Sequence, residues 1–202
     1  RCSTRVNYML YVTGEFGIIA YQNSGTIENC LSAVGAGKSG ILIPDEASAA
    51  GIAYENSGTI KNCLFDGELR TDGVTGNSYT AKDYAIAQNK PNGTITNCHY
   101  YHSNSSVSGE LYKDGNNSTV ISKTQKEMAS GEVTWLLNEN GKNDIWRQRR
   151  IGSADISLNK SYGRVKKNDD GSYAIVTPHI HRLDNGTQTE FKEVHSLDDI
   201  TK

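Results

Sequence analysis

Asn23-Ser24-Gly25-Thr26-Ile27-Glu28-Asn29-Cys30 returns as Asn56-Ser57-Gly58-Thr59-Ile60-Lys61-Asn62-Cys63 and, shortened, as Asn92-Gly93-Thr94-Ile95-Thr96-Asn97-Cys98. The closing cysteines are 33 and then 35 residues apart, and an apolar run precedes each phrase: Gly17-Ile18-Ile19-Ala20-Tyr21, Gly51-Ile52-Ala53-Tyr54 and Tyr84-Ala85-Ile86-Ala87. A repeat of this period outranks any single-residue motif, because one unit cannot bury its own apolar face whereas stacked units bury a continuous column. Each unit reads as a strand, a tight turn at Asn-Ser-Gly or Pro-Asn-Gly, a second short strand carrying Thr-Ile, and a corner at the asparagine before the cysteine. Gly and Asn belong at such corners because they adopt positive φ at little cost. Ile27, Ile60 and Ile95 are expected to point inward and Glu28, Lys61 and Thr96 outward, with stacking setting Glu28 beside Lys61. The expected architecture is a parallel β-helix.

Between the phrases the chain is glycine-rich and irregular, as in Gly35-Ala36-Gly37-Lys38-Ser39-Gly40 and Asp72-Gly73-Val74-Thr75-Gly76-Asn77. A unit this long either carries a loop outside the stack or spans more than one turn of it. Equivalent positions on adjacent coils lie about 4.8 Å apart, so Cys30, Cys63 and Cys98 are open to a buried thiol stack, one disulfide or, without the short spacing of a zinc knuckle, a metal. Cys2 is free to pair with one of them.

Composition sets the outer limits. The 202 residues carry 21 Lys+Arg against 23 Asp+Glu, with neither sign gathered into a long run, so there is no broad cationic footprint for a nucleic acid or an anionic membrane. No stretch approaches eighteen apolar residues, and Arg1-Cys2-Ser3-Thr4-Arg5 is not a signal peptide. Arg1 and Lys202 both read as interruptions of a longer chain.

The repeat resembles the GLUG motif of bacterial cell-surface and adhesin-like proteins, in which a Gly-Ile-Ala-Gly-Tyr run precedes Asn-Ser-Gly-Thr-Ile-Glu-Asn-Cys. Gly17 to Cys30 and Gly51 to Cys63 match it; Tyr84 to Cys98 departs, with Gln88-Asn89-Lys90-Pro91 replacing the aromatic and part of the turn. The resemblance implies secretion to an extracellular or cell-surface location, a right-handed stack and an adhesive role. Further along, Ala129-Ser130-Gly131-Glu132-Val133-Thr134-Trp135-Leu136-Leu137-Asn138, followed by Ile145-Trp146-Arg147-Gln148 and Ile151-Gly152, resembles the segment that closes many such proteins, with Ser157 where a proline is usual.

The residues themselves support a change near Ser122. Thr124-Gln125-Lys126-Glu127 has the form of a capping box, Met128, Val133, Leu136 and Leu137 fall on or near one helical face, Ser130-Gly131 offers a break into two helices, and Asn140-Gly141 stops the run. Strands are expected over 161–166 and 173–177 about an Asn168-Asp169-Asp170-Gly171 turn, with a further turn at Asp184-Asn185-Gly186 and residues 188–194 after it. The fold class expected is mainly β: a short right-handed parallel β-helix over residues 1–121, a small helix-containing cap over 122–160 and a C-terminal β-meander over 161–202.

Candidate chemistry is sparse. Asp66, Glu68 and Arg70 alternate with Gly67 and Leu69 and, with Lys82 and Asp83, outline an outer groove near residues 66–83 of the kind that carries carboxylate catalysis in polysaccharide-cleaving β-helices; an exposed polar strand face explains them equally well. His179 and His181 share one face of an extended segment, a spacing open to a metal, but two ligands do not make a site. Trp135, Trp146, Tyr100 and Tyr101 are candidates for a sugar-stacking platform or for core anchors. No cofactor motif is present. The reading is a non-enzymatic extracellular scaffold or adhesin-like fragment with a glycan or a surface protein as partner; the alternative is a carbohydrate-active enzyme or glycan-binding module on the same stack.

Overall fold

The computed structural model describes residues 1–6, 9–34, 40–44, 47–67, 69–71, 83–102, 112–114 and 117–176. The fold is mainly β, with stacked parallel sheets and two short helices, and the chain divides into two compact units, Arg1–Met128 and Ala129–Lys202.

In the first unit the chain visits five sheets in turn. β1 (Cys2–Val6), β2 (Met9–Tyr11), β3 (Glu15–Gly17), β4 (Ala20–Asn23) and β5 (Thr26–Glu28) form one circuit; β6 (Cys30–Val34), β7 (Gly40–Ile43), β8 (Ser48–Ala50), β9 (Ala53–Asn56) and β10 (Thr59–Lys61) form the next. β11 (Leu64–Asp66), β12 (Leu69–Thr71), β13 (Ala87–Asn89) and β14 (Thr94–Thr96) belong to a third, in which Tyr84 bridges to Ala50, and β15 (Cys98–Tyr101) and β16 (Val120–Lys123) extend the first sheet. Pairing is parallel and strictly between counterparts: β1-β6-β11-β15-β16, β2-β7-β12, β3-β8, β4-β9-β13 and β5-β10-β14. One sequence repeat is therefore one circuit, its length taken up by five short strands and the corners between them.

The register follows the repeated phrase. Thr26, Thr59 and Thr94 stack, as do Ile27, Ile60 and Ile95, and Glu28 meets Lys61 at 2.9 Å. Ile60 and Ile95 are buried, and Ile27, in the first circuit, is half-buried against the same core. The three corner asparagines, Asn29, Asn62 and Asn97, have φ of 53°, 52° and 47°, the left-handed region in which asparagine is tolerated. The third unit's departure has a structural counterpart: β13 and β9 lose register between Ala87 and Gln88, so Tyr54 has no counterpart there. Tyr21 stacks on Tyr54 at 5.9 Å, and Tyr84, from one strand position earlier, meets Tyr54 edge-on at 6.2 Å.

Near the end of the first unit Thr124 and Glu127 close a reciprocal capping box: Glu127 N–H donates to Thr124 Oγ1 at 3.2 Å and Thr124 N–H to Glu127 Oε2 at 2.8 Å. Helix α1 (Gln125–Ser130) is followed by α2 (Glu132–Leu137), and the break falls at Gly131, whose φ of 100° interrupts the helical path. In the second unit α2 buries Val133, Thr134 and Leu137, and β17 (Arg147–Gln148) pairs antiparallel with β18 (Ile156–Ser157). The fully buried Gln148 side chain accepts from Thr134 Oγ1 at 3.0 Å and donates to the carbonyls of Ala129 and Ser153. β19 (Arg164–Lys167) and β20 (Tyr173–Val176) form the expected hairpin about a turn in which Gly171 has a φ of 85°. The strand expected over 188–194 lies outside the described residues.

Candidate functional site

The asparagine that opens the repeated phrase bonds from one circuit to the next, Asn23 and Asn56 buried and Asn89, at the same register position, exposed. Asn23 Nδ2 donates to Asn56 Oδ1 at 2.7 Å and Asn56 Nδ2 to Asn89 Oδ1 at 2.7 Å, an amide ladder whose members also bond their own turns: Gly25 N–H to Asn23 Oδ1 and Gly58 N–H to Asn56 Oδ1, each at 3.2 Å. An asparagine supplies two donors and a carbonyl, so Asn23 and Asn56 each satisfy a neighbour in the next circuit and a turn beside them, and Asn89 Nδ2 donates to Gly93 O at 2.8 Å. Beside this ladder an outer row carries charge: Gln22 donates to Glu55 at 3.0 Å and Lys90 pairs with Glu55 at 2.5 Å. The Lys90 ammonium holds the Glu55 carboxyl below the ordinary glutamate range.

The cysteines form a second internal column. β1–β6 pairing sets Cys2 against Cys30, and the registers of Leu31, Leu64 and His99 continue it through Cys63 and Cys98. All four are free thiols, Cys2 exposed and the others buried. Each buried Sγ donates to the carbonyl two residues earlier, Glu28, Lys61 and Thr96, at 3.3, 3.2 and 3.3 Å. The hydrogen bond between Cys30 and Cys63, and then burial, push the Cys30 thiol up; at Cys63 the contact with Cys30 pulls down, but the contact with Cys98 and burial outweigh it. Among the described residues no group of three or more His, Cys, Asp or Glu is placed to hold a metal.

At the far edge of the stack two aspartates take the place of strand. Asp83, buried, accepts the Ala49 N–H at 2.8 Å. Asp114 accepts three successive N–H groups, Ala85 at 2.7 Å, Ile86 at 2.8 Å and Ala87 at 3.0 Å. Burial pushes the Asp114 carboxyl up, against the opposing pull of those three donors. Sequence spacing sets Asp83 in the outer groove; the structure turns its carboxylate to the backbone of Ala49 because the edge amide there needs an acceptor.

The remaining candidates are scattered. Asp66 ends β11, in the first sheet, while Arg70 lies in β12, in the second, with the corner at Gly67 between them. Glu68, Lys82, His179 and His181 lie outside the described residues. Tyr100 is buried, edge-on to Tyr112 at 5.3 Å, and Tyr101 is half-buried. Trp146 is fully buried, and the segment that carries it into β17 is clamped by Asn138, whose Oδ1 accepts from the Ile145 and Trp146 N–H groups and whose Nδ2 donates to Trp146 O, all at 2.9 Å.

Trp135 differs from these. Its half-buried ring lines a cleft of about 370 Å³ with Asn140, Gly141, Arg164, Val165, Lys166, Lys167 and Val176. Tyr173 packs beside it at 6.0 Å, and Lys167 Nζ lies 5.0 Å over the Trp135 ring and 5.8 Å from the Tyr173 ring centre. The hairpin register pairs Lys167 with Tyr173, which is how one strand supplies the cation and its partner the second ring. The sequence named Trp135 but not Lys167 or Tyr173; the turn at 168–171 was the signal, since pairing outward from it sets those two opposite each other.

Comparison with family models, with curated proteins and with solved structures found no match for the chain.

Proposed function

We propose that the first unit is a right-handed parallel β-helix and that the chain is a non-enzymatic, extracellular, adhesin-like scaffold of the GLUG-repeat kind. Right-handedness rests on the strong preference of parallel β crossovers for that hand, about 98% of cases. The observation that carries the functional reading is the amide ladder Asn23–Asn56–Asn89: the asparagine that opens the first two copies of the phrase, and Asn89 at the same register position, are committed to bonding between circuits, and what varies on the outside is paired charge such as Glu28–Lys61 and Glu55–Lys90. A repeat of this type builds length and presents what its loops and following segments carry. Burial keeps the three thiols of the stack from disulfide exchange, so they do not conflict with an oxidising surface location. The enzymatic alternative is less supported, because Asp66 and Arg70 belong to different sheets.

The test is incubation of the full chain with a panel of immobilised mucin-type and plant polysaccharides, read for retention and for newly released reducing or unsaturated ends. Saturable retention without product is expected. Product release that is lost in Asp66→Asn would overturn the reading in favour of a carbohydrate-active enzyme. A glycan-binding role within the scaffold is favoured by one specific feature, the Trp135 cleft.

A further inference from the structure

From the Trp135 cleft we infer a binding site for a carboxylate-bearing pyranose, a uronic or nonulosonic acid residue of an acidic glycan. This rests on the surface-scaffold reading only in taking the ligand to be a glycan. Among the described residues the cleft walls carry three cations, Arg164, Lys166 and Lys167, and no carboxylate, on a chain whose formal net charge is -2. Arg164 is engaged by Asp144. Lys167 is not: among the described residues its ammonium contacts only the Trp135 and Tyr173 rings. Ring faces attract the cation and hold it in place while leaving its N–H groups unspent, so it is positioned to meet an incoming anion.

Beside the indole the wall is formed by glycine. Gly141 has a φ of 78°, and a Cβ there would stand 2.8 Å from Trp135 Nε1 and 3.2 Å from Cδ1. A side chain at this position is strained and collides with the indole, so the glycine lets the Trp135 ring edge pack against the backbone of the cleft wall. Trp135, Val165 and Val176 supply apolar surface and Asn140 a carboxamide. An indole ring, a carboxamide and a fixed ammonium in a concave site of about 370 Å³ match a sugar ring with an apolar C–H face, hydroxyls and one carboxylate. The carboxylate meets Lys167 Nζ, the hydroxyls meet Asn140, and the C–H face lies on Trp135.

The chain's two tryptophans make the test direct, because Trp146 is fully buried and Trp135 is the ring a ligand reaches. The full chain is titrated with trigalacturonate, with sialyllactose, with the methyl ester of trigalacturonate, with a neutral cello-oligosaccharide and with an oligoglutamate, following tryptophan emission. The expected result is a saturable change with trigalacturonate, sialyllactose or both, the two arms distinguishing a uronate from a nonulosonate. The methyl ester and the neutral sugar bind at least about tenfold more weakly, affinity falls with added salt, and Lys167→Met, at an exposed position, weakens acidic-sugar binding about tenfold or more without altering the circular dichroism spectrum. Equal response to the ester, an oligoglutamate that binds as well as the sugars, indifference to Lys167→Met, or no response at all would each overturn the assignment. Those results leave retention on a polysaccharide without turnover intact, so the scaffold reading and the cleft fail separately.

Discussion

Asp114 stands toward Ile86 as Ile86 stands toward Ile52 one circuit below: Asp114 Oδ2 accepts the Ile86 N–H at 2.8 Å, and the Ile86 carbonyl accepts the Ile52 N–H at 3.1 Å. The same carboxylate oxygen takes the Ala87 N–H, as Ile86 O takes the Ala53 N–H. A side chain thus ends a ladder that backbone carbonyls carry lower down, which satisfies buried donors that would otherwise cost about 1–3 kcal/mol each.

Asp114→Ala leaves the Ala85, Ile86 and Ala87 amides without their acceptor, and the expected loss is about 3–5 kcal/mol of local stability. Hydrogen exchange resolved to single amides checks it. Protection of those three should fall sharply, less so in Asp114→Asn, which keeps one acceptor oxygen; unchanged protection in Asp114→Ala would remove Asp114 from this role.

Gly25 and Gly58 occupy the same place in two copies of the phrase, yet their substitution by alanine should give different results. A Cβ on Gly25 meets nothing within 4 Å, whereas one on Gly58 would lie 2.1 Å from the Gly25 carbonyl oxygen in the circuit below. Gly25→Ala is expected to fall within about 0.5 kcal/mol of the parent and Gly58→Ala to lose roughly 2 kcal/mol or more, read from urea unfolding. Equal effects would contradict the stacking.

His99 is buried, with Nε2 3.0 Å from Asn97 Oδ1, and burial, followed by the nearby Lys123 charge, lowers its pKa from 6.5 to about 4. In the unfolded chain it takes a proton near pH 6.5, so between about pH 6.5 and pH 4 the unfolded state binds more protons and stability falls as the pH falls. The shift corresponds to about 3 kcal/mol, present above pH 6.5 and lost progressively down to about pH 4. Urea unfolding at pH 7 and pH 4.5 should show a pH dependence that His99→Gln flattens; the same slope in the variant would assign it to other groups.

Thiol reactivity separates the cysteine column into two classes. Cys2 is exposed, and Cys30, Cys63 and Cys98 are buried. Reaction with an aromatic disulfide reagent at pH 8 should titrate one thiol rapidly in the native protein and the other three only on denaturation, with Cys2→Ser removing the fast phase. Fast reaction of a second thiol in the native state would show that the column opens.

Sequence spacing carried much of the first unit because a stacked repeat makes local pattern and long-range contact the same thing. The phrase from Asn56 to Cys63 must lie on that from Asn23 to Cys30 if both bury their isoleucines, and the corner asparagines, the Glu28–Lys61 pair and the Thr124–Glu127 capping box were legible for that reason. The number of strands per circuit was not, since the sequence between phrases has no copy to be matched with. Asp114 was equally hidden: it lies in a polar stretch outside the phrase, and only the path of the chain brings it to the Ala85–Ala87 amides. Asp66 and Arg70 look like one strand face in sequence, but the corner at Gly67 puts them on two sheets.

Taken alone, the sequence determined the period, the inward isoleucines, the corners and the helix start, because these follow from backbone preferences and from the need of each repeat to cover its neighbour. The tertiary structure decided what ends the stack and what faces outward from the second unit. An aspartate can stand in for a missing strand, and a lysine can be held over Trp135, only where separate segments are brought within hydrogen-bonding or ring-contact distance. Such distances depend on how segments far apart in the chain pack together, and short-range pattern does not encode them.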